Sequence, residues 1–459
     1  MGSDMLDSGA VSAATGVSFD VGMGVSALVL FLTFLAIFTE GVHKIDRTKV
    51  AMFGAGIMIF TGQIFGFYNP QKALEVVDWN VILLLGGMMT IIAIMIPTGG
   101  FQAVAYWIAQ KSQGRKYALL VMMGTSVAVI SMLLDNVTTI IIFGPLIVLI
   151  CQALQISPIP SLLGAAILSN TGGVATLVGD PPNIMIGSAA GISFNEFFIH
   201  MGGLVFCVTL ATLGALYALF RREVQGRAEL PEFSQESLIS DPRTWYVSLG
   251  ALVIMIVAFV SHHHLGWEAW VVAALGLTIL LIAVPNISLE HTLDKIELSM
   301  LLFFLALFIV VGGVEHSRFL TWVAQMLVPL VQENLLVATV VILWVGAIIS
   351  ALINNIPFMA ALIPMIQSME SDGVNVAPLW WALAAGVGLG GNGTHIGASA
   401  NMVVLTLSER LAKSEGNPAL AITPGLWIRK GMPIMLLTLV VSTAVIVLFF
   451  DFFAAPIKR

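Results

Sequence analysis

Cysteine is nearly absent. The 459 residues hold only Cys151 and Cys207, each among apolar neighbours, so no disulfide framework or CxxC-type metal site is available and both are expected as small buried hydrophobes. Charge is scarce too: 10% of residues are Asp, Glu, Lys or Arg, against 58% hydrophobic, which is too apolar for a soluble chain. A Walker A pattern, a Rossmann glycine fingerprint and a nucleophile motif are all missing, which excludes ATP hydrolysis by this chain and argues against an enzyme. No cofactor is implied, and no nucleic-acid partner is expected.

What the sequence has is long apolar runs. Mean hydropathy is +0.98, and stretches able to cross a bilayer about 30 Å thick begin near Gly24, Thr48, Asn80, Ser157, Ile199, Trp245, Trp267, Ser299, Leu379 and Met432. The fold class expected is an all-α polytopic membrane protein with ten full spans. Two further stretches, 116–151 and 336–368, are broken midway by polar residues and read as re-entrant hairpins. The run at Gly24 follows no Arg or Lys and precedes no small-residue cleavage pattern, so it reads as a first span, preceded by a loose arm over residues 1–23.

Basic residues set the orientation. Lys44, Arg47 and Lys49, then Lys111, Arg115 and Lys116, then Arg221, Arg222, Arg227 and Arg243 all fall in the cytoplasm if both termini lie outside an inner membrane. Trp79, Trp245, Trp267, Trp380 and Trp427 stand near expected span ends and read as interface anchors.

The polar linker 221–244 divides the chain into halves of 24–220 and 245–459, and the halves match. A shift of 219 lays LDNVTTIIIFGP, with Asp135, over INNIPFMAALIP, with Asn354. A shift of 218 lays GGVATLVGDPPN over GGNGTHIGASAN, and YWIAQ resembles TWVAQ at a shift of 215. With five full spans per repeat, an odd number, the second copy must be inverted, the arrangement in which polar interruptions from both halves meet near the midplane. Each half offers a hairpin tip and an interrupted helix, the latter within 157–192 and 379–405. Irregular backbone is tolerated at that depth only where it lines protein or a water-filled cavity.

The candidate ligands are the polar groups of these breaks: Asp135, Asn136, Thr138 and Thr139 at the first tip; Asn354 and Asn355 at the second; Thr176, Gly179, Asp180 and Asn183 in the first interrupted helix; Asn392, Thr394, His395 and Asn401 in the second. Asp135 and Asp180 are the only carboxylates there, and no Lys or Arg accompanies them. A midplane carboxylate costs at least ~2.5–3.5 kcal/mol unless paired, neutralised or hydrated, which favours proton or cation handling. Capping a helix is the other role open to each acid, and Asp135 is the one expected to carry the coupling proton, its charge state tied to occupancy of a site made by Asn136, Asn355, Thr176 and Thr394. His395 has a titration range suited to proton coupling, or is a satisfied core histidine, whereas His262, His263 and His264 read as an interfacial cluster.

These motifs resemble the ion transporter superfamily, whose members include the divalent anion:sodium symporters, the arsenite permease and Na⁺/H⁺ antiporter families and the P-protein family. DNVTT, NNIPFMAALIP and GGNGTHIGASANMVV carry the likeness to the arsenite-permease and P-protein branch. The resemblance implies an elevator-type carrier in which outer spans form a scaffold and the hairpins and interrupted helices form a mobile transport domain. In the symporters, Ser-Asn-Thr at the tips binds dicarboxylate with Na⁺. Here the tips read Asp135-Asn136-Val137 and Asn354-Asn355-Ile356, and a literal Ser169-Asn170-Thr171 lies away from either tip. The function expected is secondary active transport, proton-coupled efflux of arsenite or antimonite. Na⁺(Li⁺)/H⁺ antiport, Na⁺-coupled carboxylate transport and a P-protein-like anion pathway are the alternatives. Expected partners are a small inorganic substrate or ion, Na⁺ or H⁺ as coupling ion, the lipid bilayer and a second copy of the chain in a homodimer. A cytosolic ATPase partner is compatible with this sequence.

Overall fold

A computed structural model describes residues 18–229, 239–352 and 355–457, without the side chains of residues 41, 42, 262–264, 289, 291 and 330. It is built almost wholly of helices, and the longer ones fall into two runs of nine. The first run is α1 (Val21–Phe38), α2 (Arg47–Phe65), α3 (Trp79–Met95), α4 (Gly100–Lys111), α5 (Lys116–Ser131), α6 (Asn136–Ala153), α7 (Ile159–Gly173), α8 (Pro181–Ala190) and α9 (Phe194–Leu219). The second is α10 (Pro242–Leu265), α11 (Ala269–Ala283), α12 (Leu298–His316), α13 (Phe319–Glu333), α14 (Leu335–Leu352), α15 (Asn355–Ser371), α16 (Ala377–Gly390), α17 (Ser399–Ser414) and α18 (Pro424–Leu448).

Local chemistry explains many of the starts. Asp20, Asp46, Asp78, Ser193 and Thr423 each precede an apolar run and accept a hydrogen bond from a backbone N–H of the first turn, satisfying donors that a helix leaves unpaired. The surface then inverts the soluble pattern. Phe53, Ile282 and Leu448 are 73%, 75% and 76% exposed, which suits contact with lipid tails.

The structure alters the expected spans. Among the described residues nine helices are long and apolar enough to cross a membrane, but two of them, Asn136–Ala153 and Leu335–Leu352, are arms of helix pairs. The stretches beginning at Ser157 and Leu379, where interrupted helices were expected, each divide into two helices, and α11 has only 15 residues. Three tryptophans are not interface anchors: Trp380 and Trp427 are 0% exposed and Trp245 is 7% exposed, packed edge-on against Phe101 at 5.1 Å. Being near the end of an apolar run does not put an indole at the interface when another helix covers it. Cys207 is likewise exposed on α9, while Cys151 is buried.

Packing follows matching pairs. The outer helices pair as α1 with α2, α2 with α12, α10 with α11 and α11 with α3; inside them, α5 packs on α7 and α14 on α16. The halves then cross over, α8 against α15 and α17 against α6. Glycine permits the closest approaches. A Cβ on Gly172 would stand 2.1 Å from the Ala128 carbonyl oxygen, and one on Gly390 would stand 2.4 Å from that of Ala347. Gly172→Ala therefore forces two helix backbones apart and is expected to destabilise the fold by at least ~1–3 kcal/mol. Gly56→Ala, where a Cβ meets nothing within 4 Å, is expected to be neutral or mildly stabilising. Thermal melting of the two purified variants checks the contrast, and equal melting temperatures would count against this packing.

Candidate functional site

The two helix interruptions are built alike. Thr176 and Thr394 donate their hydroxyls to the carbonyls of Met132 and Ala351 and accept from the backbone N–H of Gly179 and Gly397, at 3.1 Å each. The Asn183 amide donates to the carbonyls of Gly173 and Thr176 at 3.0 and 2.9 Å. Asn401 donates to those of Gly391 and Thr394 at 2.7 and 2.8 Å. Ser131 and Ser350 add matched bonds to the carbonyls of Ser169 and Val387 at 2.8 and 2.7 Å. Unwinding a helix strands carbonyls that the bilayer interior cannot hydrate, and these side chains take their place. The donor groups of Thr176, Asn183, Thr394 and Asn401 are therefore committed to holding the interruptions open.

At the first tip, Asp135 caps α6. Its carboxylate accepts the Thr138 N–H at 2.9 Å and the Thr138 hydroxyl at 2.5 Å, and the Thr139 hydroxyl donates to its carbonyl at 2.9 Å. Of the two roles the sequence leaves open to this residue, the cap is present in the geometry. At the second tip Asn355 is described and buried, and Asn354 lies outside the described residues.

Between the interruptions lies a group of amides centred on a residue that the sequence reading set aside. Asn170 accepts from the Asn136 amide at 3.0 Å and donates to the side-chain carbonyls of Asn392 and Asn401, at 3.0 Å each. Asn392 donates in turn to the Thr171 hydroxyl at 3.3 Å, and Trp427 donates its indole N–H to the Asn392 backbone carbonyl at 3.2 Å. All four asparagines are at most 3% exposed. Asn170 lies outside both motif matches, inside an apolar helix, and the tripeptide around it invited comparison with a motif it does not occupy. A lone amide in an otherwise apolar helical run, expensive there unless bonded, was the available signal.

Asp180 is placed differently from Asp135. It holds the N-cap position of α8 yet makes no side-chain capping bond. Among the described residues its one hydrogen-bonding neighbour is the Asn355 amide, 3.4 Å from both carboxylate oxygens, at the outer limit of hydrogen-bonding distance. At 2% exposure, a carboxylate so thinly bonded calls for a proton or a cation, because a neutral donor at that range offsets little of the cost of burying its charge.

Two cavities flank the far end of α8. One, about 400 Å³, is lined in part by Asn80, Ser188, Ser193, Trp267 and Glu268. The other, about 180 Å³, is lined in part by Asp78, Glu315, Gln367 and Met185. Both lie beside the start of α3, where Asp78 and Asn80 line them.

His395 stands outside the amide group, half-buried, with a buried Nδ1 that has no hydrogen-bond partner among the described residues. The backbone of His262–264 lies at the end of α10, and their side chains are outside the described residues. One basic side chain, read from sequence only as a topology marker, reaches an interruption: Arg47 donates to the hydroxyl of Ser399, the first residue of α17, at 3.1 Å. The approach comes from α2, far away in sequence, so local spacing gave no hint of it.

The sequence profile of a family described as CitMHS, citrate transporter, matches residues 28–386. A 46 kDa membrane protein of Mycobacterium leprae is 35% identical over 86% of this chain and 92% of its own length. The human P protein is 30% identical over 88% of this chain and 57% of its own length. In fold, the crystal structure of the YdaH transporter of Alcanivorax borkumensis superposes with a TM-score of 0.60 at 14% identity, covering 96% of this chain and all of that one.

Proposed function

Starting from the fact that the chain belongs to the CitMHS citrate-transporter family and is a secondary transporter, not an enzyme, we propose that it couples substrate movement to a proton, with Asp180 as the group that carries it. The supporting observation is the buried Asp180 carboxylate, which makes no capping bond and among the described residues meets the Asn355 amide alone, at 3.4 Å. The proposed substrate is arsenite or antimonite, which at neutral pH is the uncharged acid, leaving in exchange for H⁺. Two carboxylates without a basic partner repel a bare anion but accept a neutral polyhydroxy molecule.

A second reading has its own support in the description of the family profile: a citrate-like carboxylate moving together with a cation that supplies the positive charge the site lacks. Proteoliposomes under an imposed pH gradient test both, with arsenite, Na⁺, and citrate with and without Mg²⁺ measured in parallel. Arsenite movement alone supports the first reading. Citrate movement that requires the cation replaces it with the second. Na⁺ movement alone makes the protein a Na⁺/H⁺ antiporter.

The two runs of nine helices are read as inverted repeats, supported by interruption hydrogen bonds that recur at shifts of 218 and 219. In the same reading the hairpins and interrupted helices move as one body against the outer helices, in a homodimer, with both termini outside the inner membrane. Orientation has a direct test. After replacement of Cys151 and Cys207, His263→Cys is expected to react with an impermeant maleimide added outside intact cells, and reaction only after permeabilisation would reverse the topology.

A further inference from the structure

Hydrogen-bonding groups are spent at the interruptions and left unspent at one cavity. The space of about 400 Å³ lies where the last turn of α8 meets the starts of α3, α9 and α11. Leu84, Leu177, Ile184 and Ile192, each at most 5% exposed, give it an apolar lining. Its polar groups are Asn80, Ser188, Ser193, Trp267 and Glu268. Among the described residues the side chains of Asn80, Ser188, Trp267 and Glu268 make no hydrogen bond, and Glu268, at the N-cap position of α11, leaves that helix uncapped. Ser193 accepts the Glu196 N–H at 3.2 Å and keeps its own proton free. Thr176, Asn183, Thr394 and Asn401 are the reverse case, with their donors already committed to the protein.

We infer that this cavity is a waiting site on the transport path and that it takes a small neutral molecule carrying several hydroxyls. The inference rests on the neutral-substrate reading above and adds to it a place to bind apart from Asp180. The volume falls within the range of small-molecule pockets and is more than a bare ion needs. No Lys or Arg lines the cavity. The first N–H groups of α3 and α9 are taken by Asp78 and Ser193, so an anion finds little to offset the Glu268 carboxylate. Hydroxyls suit what is there. They can donate to Glu268 and to the Asn80 side-chain carbonyl, and accept from the Asn80 amide, the Ser188 hydroxyl and the Trp267 indole N–H. Leu177 belongs to the first interruption and Ile184 and Ser188 to α8, whereas Asn80 and Glu268 belong to the outer helices. An occupant therefore touches both of the bodies that the proposed function sets in relative motion.

Binding is read on the purified full chain by tryptophan fluorescence, with arsenite and with boric acid as a second neutral trihydroxy acid. Each is expected to give a saturable change that Trp267→Phe removes and that Ser188→Leu, which puts an apolar side chain into the cavity, abolishes. Glu268→Gln should raise the half-saturating concentration about tenfold, as a charged acceptor becomes a neutral one. Citrate and tetramethylammonium should give no Trp267-dependent change. Trp267 is 40% exposed and Glu268 is exposed, so their variants decide the case if Ser188→Leu does not fold. No Trp267-dependent response to either neutral acid overturns the site, and a response to citrate or tetramethylammonium instead overturns its chemistry. Arsenite flux into proteoliposomes is measured separately, and should fall at least tenfold in Ser188→Leu. Flux at the wild-type rate in that variant takes the cavity off the path and overturns its role. A wild type that binds boric acid at Trp267 yet moves no arsenite defeats the arsenite reading and leaves the cavity assigned to another neutral polyhydroxy molecule.

Discussion

Asp180→Asn is expected to abolish gradient-driven transport while leaving the folded protein intact. The variant keeps the shape of the side chain and its contact with Asn355, and it removes a thinly bonded carboxylate at the crossing of the halves. The loss should reach at least about a hundredfold, the factor that corresponds to ~2.5–3.5 kcal/mol for an intramembrane charge. Equilibrium exchange of substrate without a gradient should survive, because it needs occupancy of the site and no net movement of the coupling ion. Asp135→Asn is the informative comparison. Asparagine caps helices well, so the Thr138 N–H stays satisfied and the effect on coupling should be much smaller. Proteoliposomes carrying each variant, measured with and without a pH gradient, separate the two acids. If Asp135→Asn loses coupling and Asp180→Asn keeps it, their roles are reversed.

Asn170→Leu is expected to be among the most destabilising single changes in the chain. Leucine branches where asparagine does, is larger and suits an apolar helix, yet it strands the Asn136 amide and the side-chain carbonyls of Asn392 and Asn401, all buried. At ~1–3 kcal/mol for each buried group left unmade, the cost is a large part of a typical protein's net stability. A melting temperature close to wild type would mean that the amide group does not hold the halves together.

The sequence could not reveal this hierarchy among polar residues. Repeat matching drew the eye to what recurs, and the recurring residues Thr176, Thr394, Asn183 and Asn401 proved to be those bonded to their own interruptions. The residues that distinguish the halves, Asn170 against Gly388 and Asp180 against Ala398, disappear in such a match because they do not recur. Arg47 illustrates the same limit: its cluster marks a membrane face, and the bond it makes to Ser399 spans 352 residues of chain.

The sequence by itself determined the solvent, the class and the punctuation of the chain. Apolar runs of bilayer length exclude a soluble protein, and glycine, proline and asparagine mark where helices must break, because each acts through its own backbone chemistry. Membership of a transporter family was legible in the same motifs. Tertiary structure alone decided which carboxylate is satisfied and which is not, which tryptophans are buried, and that an asparagine in an apolar helix is the centre of a group of bonded amides. Hydrogen bonding and burial depend on what faces a side chain across a helix interface. At Asp180 that partner, Asn355, comes from the other half, 175 residues away, a pairing that no local pattern encodes.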